Sequence, residues 1–212
     1  MQERILCYGD SNTYGYDAAI YFGGRFPEAQ TWVGHLNADP ELAAFQFINF
    51  GENGRCIPDD SWSLVELRDT VQQFAPLKLI TVMLGSNDLL SLRRPRIEAV
   101  AGKMDTLLTY LLHLPAVSGD PSRLLLIAPP RTQITRMDPY LSAFDEAAAQ
   151  FGSAYRQLAD TYKVHFVDAG SWDLPLAQDG VHLTEKAHEI FASEMKKILL
   201  NILRQPEEED QL

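Results

Sequence analysis

Cysteine is nearly absent: two residues in 212, Cys7 and Cys56, cannot build a disulfide framework or a zinc knuckle. Cys7 falls inside an apolar run and Cys56 in a loop, so both are expected as free thiols. Long apolar stretches are absent too; none approaches the roughly 18 consecutive residues that a membrane-spanning helix needs. Basic charge is scarce, with 18 Lys and Arg against 29 Asp and Glu and a net charge of −11. A nucleic-acid binder needs the opposite balance, because it must neutralise phosphates. No nucleic-acid or membrane partner is therefore expected. The expected ligand is a small molecule, and homo-oligomer formation is left open. His35, His113, His165 and His188 show no metal-ligand spacing, so they read as surface or packing residues and no metal or other cofactor is expected. Internal repeats and Pro/Gly/Ser-rich linkers are missing as well, which leaves a single domain over 1–204 and a Glu-rich, flexible tail over 205–212. Residues 1–4 run into the first apolar stretch with no leader pattern, and a cytoplasmic protein is expected.

Apolar content is ample, at 46%, and it is arranged in short and long runs that alternate. Ile5, Leu6, Cys7 and Tyr8 are the right length for a parallel strand covered on both faces. Further strand-length runs fall at 45–50, 79–84, 124–128 and 164–167. Helix-length stretches lie between them at 32–38, 62–74, 97–114 and 142–162, and a last one at 185–203 has Thr184 as its cap. Alternating strands and helices imply right-handed crossovers and a parallel sheet with helices on both faces. Five strands make this a flavodoxin-like three-layer α/β/α sandwich, a fold that binds its ligands beyond the carboxyl ends of the strands.

The polar residues just past those strand ends are the candidates. After the first strand come Gly9, Asp10 and Ser11; alone, they read equally as a helix cap or a phosphate loop. After the second come Asn49, Gly51 and Gly54, and after the third Gly85, Ser86, Asn87 and Asp88. Beyond the fifth lie Asp179, Gly180, Val181 and His182. Rim glycines let backbone N–H groups approach a ligand, Asn87 offers an amide donor, and Asp179 can reach His182 across a short turn. Asp10 and Asp88 read as structural, bonding loop amides. Cys56 has no histidine partner in sequence and is not assigned as a nucleophile.

These four blocks, in this order, resemble the SGNH hydrolases of the GDSL type, with Asn12 where leucine is commoner. The strand sequences are similar to those of bacterial arylesterases and acyltransferases, whereas 17–30 and 132–144 do not match. The resemblance implies the SGNH hydrolase fold and cleavage of a short-chain carboxylic ester through an acyl-serine. It implies Ser11, Asp179 and His182 as catalytic residues and Ser11, Gly54 and Asn87 as the oxyanion hole. Tyr14 and Tyr16 stand at aromatic positions of the arylesterase pattern, where they wall the acyl pocket or simply pack the core.

The residues themselves suit that chemistry. A serine hydroxyl attacks only if a base takes its proton, and histidine, with a reference pKa near 6.5, is suited to that near neutral pH. Asp179 would fix the imidazole tautomer and stabilise the imidazolium. Water, an alcohol or a thiol could then accept the acyl group, so transferase and thioesterase variants stay open. Two alternatives remain: a carbohydrate O-deacetylase with the same blocks, and a non-catalytic flavodoxin-like binder that holds a flavin phosphate in the loop 11–15.

Overall fold

The computed structural model describes residues 2–20 and 22–203; the tail expected at 205–212 lies outside the described residues. Five strands form one parallel sheet: β1 (Glu3–Gly9), β2 (Phe45–Gly51), β3 (Leu79–Met83), β4 (Leu124–Ala128) and β5 (His165–Asp168), in the spatial order β2-β1-β3-β4-β5. This is the flavodoxin-like order expected from the alternation of elements. The strands are apolar throughout because both faces are covered, and alternate residues serve opposite cores. Leu6, Tyr8, Ile80, Val82, Leu124 and Leu126 pack against helices α3 (Ser61–Phe74), α5 (Ile97–Leu112) and α7 (Phe151–Tyr162). Ile5, Cys7, Leu79, Met83, Leu125 and Ile127 pack against α2 (Trp32–Ala38) and α8 (Glu185–Leu203). Each fully buried Leu or Ile contributes roughly 1.5–3 kcal/mol relative to exposure, so the sheet position is fixed by many such residues together.

Local signals set the helix starts. Asp60 and Ser63 form a capping box at α3, Thr31 Oγ1 accepts from Gly34 N–H at 3.0 Å at α2, and Thr184 Oγ1 accepts from Ala187 N–H at 3.2 Å at α8. The stretch 142–162, expected as one helix, is two: α6 (Ser142–Ala148) and α7, separated by Ala149 and Gln150. The break has a physical reason. Asp145 in α6 gathers Thr132 Oγ1, the N–H groups of Ile134 and Thr135, and the Thr135 hydroxyl, which ties α6 to the 132–135 loop. α7 instead lies against β5, where Gly152 passes so close to Asp168 that a β-carbon would collide with its carboxylate. Strand five begins at His165 rather than Val164, whose N–H bonds back to Ala159 O of α7 at 3.1 Å. A one-turn helix α1 (Ser11–Tyr14), a short helix α4 (Ser86–Ser91) and a small antiparallel hairpin, Tyr16–Asp17 with Gly24–Arg25, complete the rim. Among the described residues no helix is long and apolar enough to cross a membrane.

His188 of α8 is buried as a packing residue, as expected. Its Nδ1 accepts from Trp32 N–H at 3.2 Å and its ring meets the edge of Phe26. Burial, then the charge of His35, pushes its pKa down to about 4. The unfolded chain takes up this proton near pH 6.5 and the folded protein near 4. Stability is therefore fully present above 6.5, falls as pH drops from 6.5 to 4, and levels off below. The full loss is on the order of 3 kcal/mol. Denaturant midpoints at pH 7.5 and 4.5 should fall less for His188→Gln, whose amide can still accept from Trp32, than for wild type; equal losses would contradict the assignment.

Candidate active site

Ser11 is delivered by β1. The strand stops at Gly9, Asp10 caps the following turn by accepting Asn12 N–H on Oδ1 at 3.0 Å, and α1 ends at Gly15 in the left-handed region. α1 lies directly over the end of β2, and a β-carbon on Gly51 would collide with the Tyr14 backbone nitrogen. Gly51 is thus a close-packing glycine, which corrects the expectation that the rim glycines as a group face a ligand. Gly85 is enclosed too, against Tyr155 and Phe151. Gly54 differs: it has φ +76° and nothing lies within 4 Å of its β-carbon position.

The chain brings Ser11, His182 and Asp179 together across 171 residues of sequence. His182 Nε2 lies 3.0 Å from Ser11 Oγ, and His182 Nδ1 lies 2.6 Å from Asp179 Oδ2. Asp179 Oδ1 accepts the N–H groups of Val181 and His182 at 2.9 and 3.1 Å, which shapes the turn. Burial alone would raise the Asp179 carboxyl, but the bonds from the His182 ring and the two backbone N–H groups outweigh it and hold the pKa below its ordinary value. An ionised Asp179 accepts a hydrogen bond from Nδ1–H and so holds the proton on that nitrogen, which leaves the Nε2 lone pair facing the serine hydroxyl. Ser11 is 6% exposed, so the dyad is shielded but reachable.

Three donors are the candidates for an oxyanion hole: the N–H groups of Ser11 and Gly54 and the side-chain amide of Asn87. The N–H groups of Ser11 and Gly54 have no acceptor among the described residues. Asn87 Nδ2 donates to Arg55 O at 3.0 Å, which orients the amide and leaves its second hydrogen. Asp88 is structural, accepting Ile57 N–H at 2.9 Å and Lys103 Nζ at 3.0 Å. Asp10 is structural too; burial pushes its pKa up to about 6 against the opposing bond from Asn12. Cys56 is an exposed residue whose Sγ lies 3.8 Å from Gly54 O, and partial desolvation of the thiol, then the charge of Asp88, raises its pKa, the reverse of an activated thiol.

The two tyrosines separate. Tyr16 lays its ring on His182, with centroids 4.5 Å apart, whereas Tyr14 lies under the Arg25 guanidinium, 4.5 Å from its ring centroid. The unmatched segment 17–30 forms the hairpin and the approach to α2, and Gln133 of 132–144 donates its N–H to Gly180 O at 2.7 Å, behind the Asp179 turn. Sequence reasoning missed Arg55. Its guanidinium stacks 4.3 Å from the Tyr8 ring centroid, donates to Gly9 O at 2.8 Å and to Phe50 O, and pairs with Glu52 at 2.8 Å. It joins the ends of β1 and β2, a role that no pattern signals until those ends are known to be neighbours.

Among the described residues no group of three or more His, Cys, Asp or Glu could hold a metal ion. A cavity of about 630 Å³ adjoins the turn that carries His182 and is lined by Asp17, Phe26, Leu176, Gln178, Leu183 and Glu185, among others.

No functionally curated protein is significantly similar in sequence. Solved structures are. A carbohydrate acetylesterase, Est24 from Sinorhizobium meliloti, is 25% identical and superposes with a TM-score of 0.79 over 95% of this chain and 100% of that one. The aryl esterase of M. smegmatis is 25% identical, with a TM-score of 0.76 over 94% of this chain and 99% of that one. A lipase/acylhydrolase from Enterococcus faecalis, at 17% identity and a TM-score of 0.72 over 94% and 96% of the two chains, shares the fold. The profile of the GDSL-like lipase/acylhydrolase family matches residues 7–190, a span that holds all four blocks and every residue of the site described above. The chain belongs to the GDSL-like lipase/acylhydrolase family.

Proposed function

We propose that the protein is a serine esterase that cleaves short-chain carboxylic esters through an acyl-Ser11 intermediate. The observation that carries this reading is the continuous contact from Ser11 Oγ through both nitrogens of His182 to Asp179. Ser11 Oγ attacks the ester carbonyl as its proton passes to His182 Nε2. The negative charge that develops on the carbonyl oxygen is met by Ser11 N–H, Gly54 N–H and Asn87 Nδ2. His182, now an imidazolium facing Asp179, gives the proton to the leaving oxygen, and the alcohol departs. Water activated by His182 then releases the acid and restores Ser11. A flavin-binding role has no use for Asp179 and His182 at this position. Its two unpaired cysteines suit the reducing cytoplasm, where we place the protein.

A second reading within the same chemistry, a carbohydrate O-deacetylase, is favoured by the cavity beside the His182 turn. Asp17, Gln178 and Glu185 are groups that bind hydroxyls, and Phe26 offers an apolar face for a sugar ring. Steady-state kinetics on aryl acetates against acetylated sugars separates the two.

With p-nitrophenyl acetate, Ser11→Ala and His182→Ala should each lower kcat by about 10⁵-fold or more and Asp179→Asn by about 10⁴-fold. Asn87→Ala should lower it by about 10²–10³-fold. A Ser11→Ala variant that keeps a few per cent of wild-type turnover, contamination excluded, would remove the assignment. Exhaustive chelation should leave activity intact, since the steps above run on protein groups; loss with EDTA and recovery with a divalent ion would contradict them.

Tyr16, lying on His182, narrows the site, and we expect acetyl to be preferred over longer acyl groups. kcat/KM on p-nitrophenyl acetate, butyrate and octanoate should fall along the series for wild type. Tyr16→Ala should shift the profile towards longer chains by up to about 0.8 kcal/mol per added methylene. Tyr14→Ala should change it less, because that ring is occupied by Arg25. A wild-type optimum at octanoate, or no change in the Tyr16 variant, would assign the acyl pocket to the loops instead.

A further inference from the structure

Asn12 follows the candidate nucleophile and is 4% exposed. Its Nδ2 donates to Val181 O at 3.2 Å, and its Oδ1 accepts Leu183 N–H at 2.9 Å. The two bonds grip the backbone on either side of His182. A carboxamide can do this because it carries a donor and an acceptor on neighbouring atoms. Leucine, the commoner residue at this point in the resembling family, can make neither bond.

The other bonds of this segment do different work. Leu176 bridges to Leu183, Ala177 N–H donates to His182 O at 2.8 Å, Asp179 shapes the turn, and Gln133 N–H reaches Gly180 O. Each of those partners lies within the segment or in the 132–144 loop. Asn12 instead belongs to α1, the same turn of helix that carries Ser11. Its two bonds run from the nucleophile's element to the base's backbone, in parallel with the Ser11–His182 contact itself.

We infer that Asn12 is a positioning residue that clamps the His182 backbone to the nucleophile helix and so sets the Ser11 Oγ to His182 Nε2 separation. The inference rests on the esterase reading. His182 must take a proton from Ser11 and then return it to a leaving group, and a misplacement of about 1 Å at such a centre can cost on the order of a hundredfold in rate. Removing the clamp also leaves the buried N–H of Leu183 without its acceptor, so the segment would move to find another. The effect belongs in the chemical steps and not in substrate binding, because Asn12 acts through His182.

The test compares Asn12→Leu and Asn12→Ala with wild type, each with His182 intact and in the His182→Ala background. Two readouts are needed: the second-order rate of Ser11 labelling by a fluorophosphonate, followed by intact mass, and kcat and KM on p-nitrophenyl acetate. With His182 present, Asn12→Leu should slow labelling and lower kcat by about 10- to 100-fold and leave KM within about twofold, while melting stays cooperative. In the His182→Ala background the same substitution should change the slow labelling rate by less than about twofold, since no base remains to be placed. If the leucine variant does not fold, the alanine variant carries the comparison. Unchanged kcat in the Asn12 variants, or an equal fold-loss in both backgrounds, would overturn the clamp. Failure of wild type to label at Ser11 would instead remove the esterase reading.

Discussion

β1 is hydrogen-bonded along both edges, pairing from Glu3 to Gly9 with β2 and from Ile5 to Gly9 with β3, and helices cover both of its faces. Its carboxyl end cannot shift without disturbing two ladders and two cores. Because the strands are parallel, Gly9 stands level with Gly51 of β2 and Met83 of β3. The segments that leave these three strands carry Ser11 at the start of α1, Gly54 in a turn and Asn87 in α4. A slip of one residue would move a loop by about 3.3 Å and turn alternate side chains to the wrong face, which is more than any oxyanion site could absorb. The site therefore takes its accuracy from the sheet.

Two carboxylates flank the dyad, and their surroundings push them in opposite directions. Asp179 receives three hydrogen bonds and stays below its ordinary pKa. Asp10, 2% exposed, accepts Asn12 N–H and is pushed by burial up to about 6. The difference lies in the donors available to offset desolvation. An ionised Asp179 is suited to face an imidazolium, whereas charge at Asp10 is costly. The proposed mechanism uses Asp179 for the first and leaves Asp10 as a cap on α1.

Much of this was legible in the sequence, for reasons that differ by residue. The five strands are buried runs, which periodicity and length reveal, and β4 coincides with the expected range of 124–128. Ser11 and Asn87 are polar residues just past such runs, which sheet topology gathers on one rim, whereas Asp179 and His182 end a longer excursion after β5 whose place is set by bonds such as those from Asn12 and Gln133. The single helix expected at 142–162 was a misreading because the break depends on Asp145 reaching a distant loop and on Gly152 passing Asp168. The roles of Gly51, Arg55 and Asn12 were illegible for a similar reason. Each acts on a segment tens of residues away or more, and only the packed fold shows which backbone atoms lie within reach.

In the proposed mechanism the N–H groups of Ser11 and Gly54 and the amide of Asn87 surround the oxyanion of the tetrahedral intermediate on Ser11. A crystal structure of the protein after reaction with a fluorophosphonate tests it most directly, since the phosphonyl oxygen stands in for that oxyanion. A covalent bond to Ser11 Oγ is expected, with the phosphonyl oxygen about 2.7–3.1 Å from all three nitrogens. An adduct on another residue, or a phosphonyl oxygen turned away from Gly54 and Asn87, would contradict it.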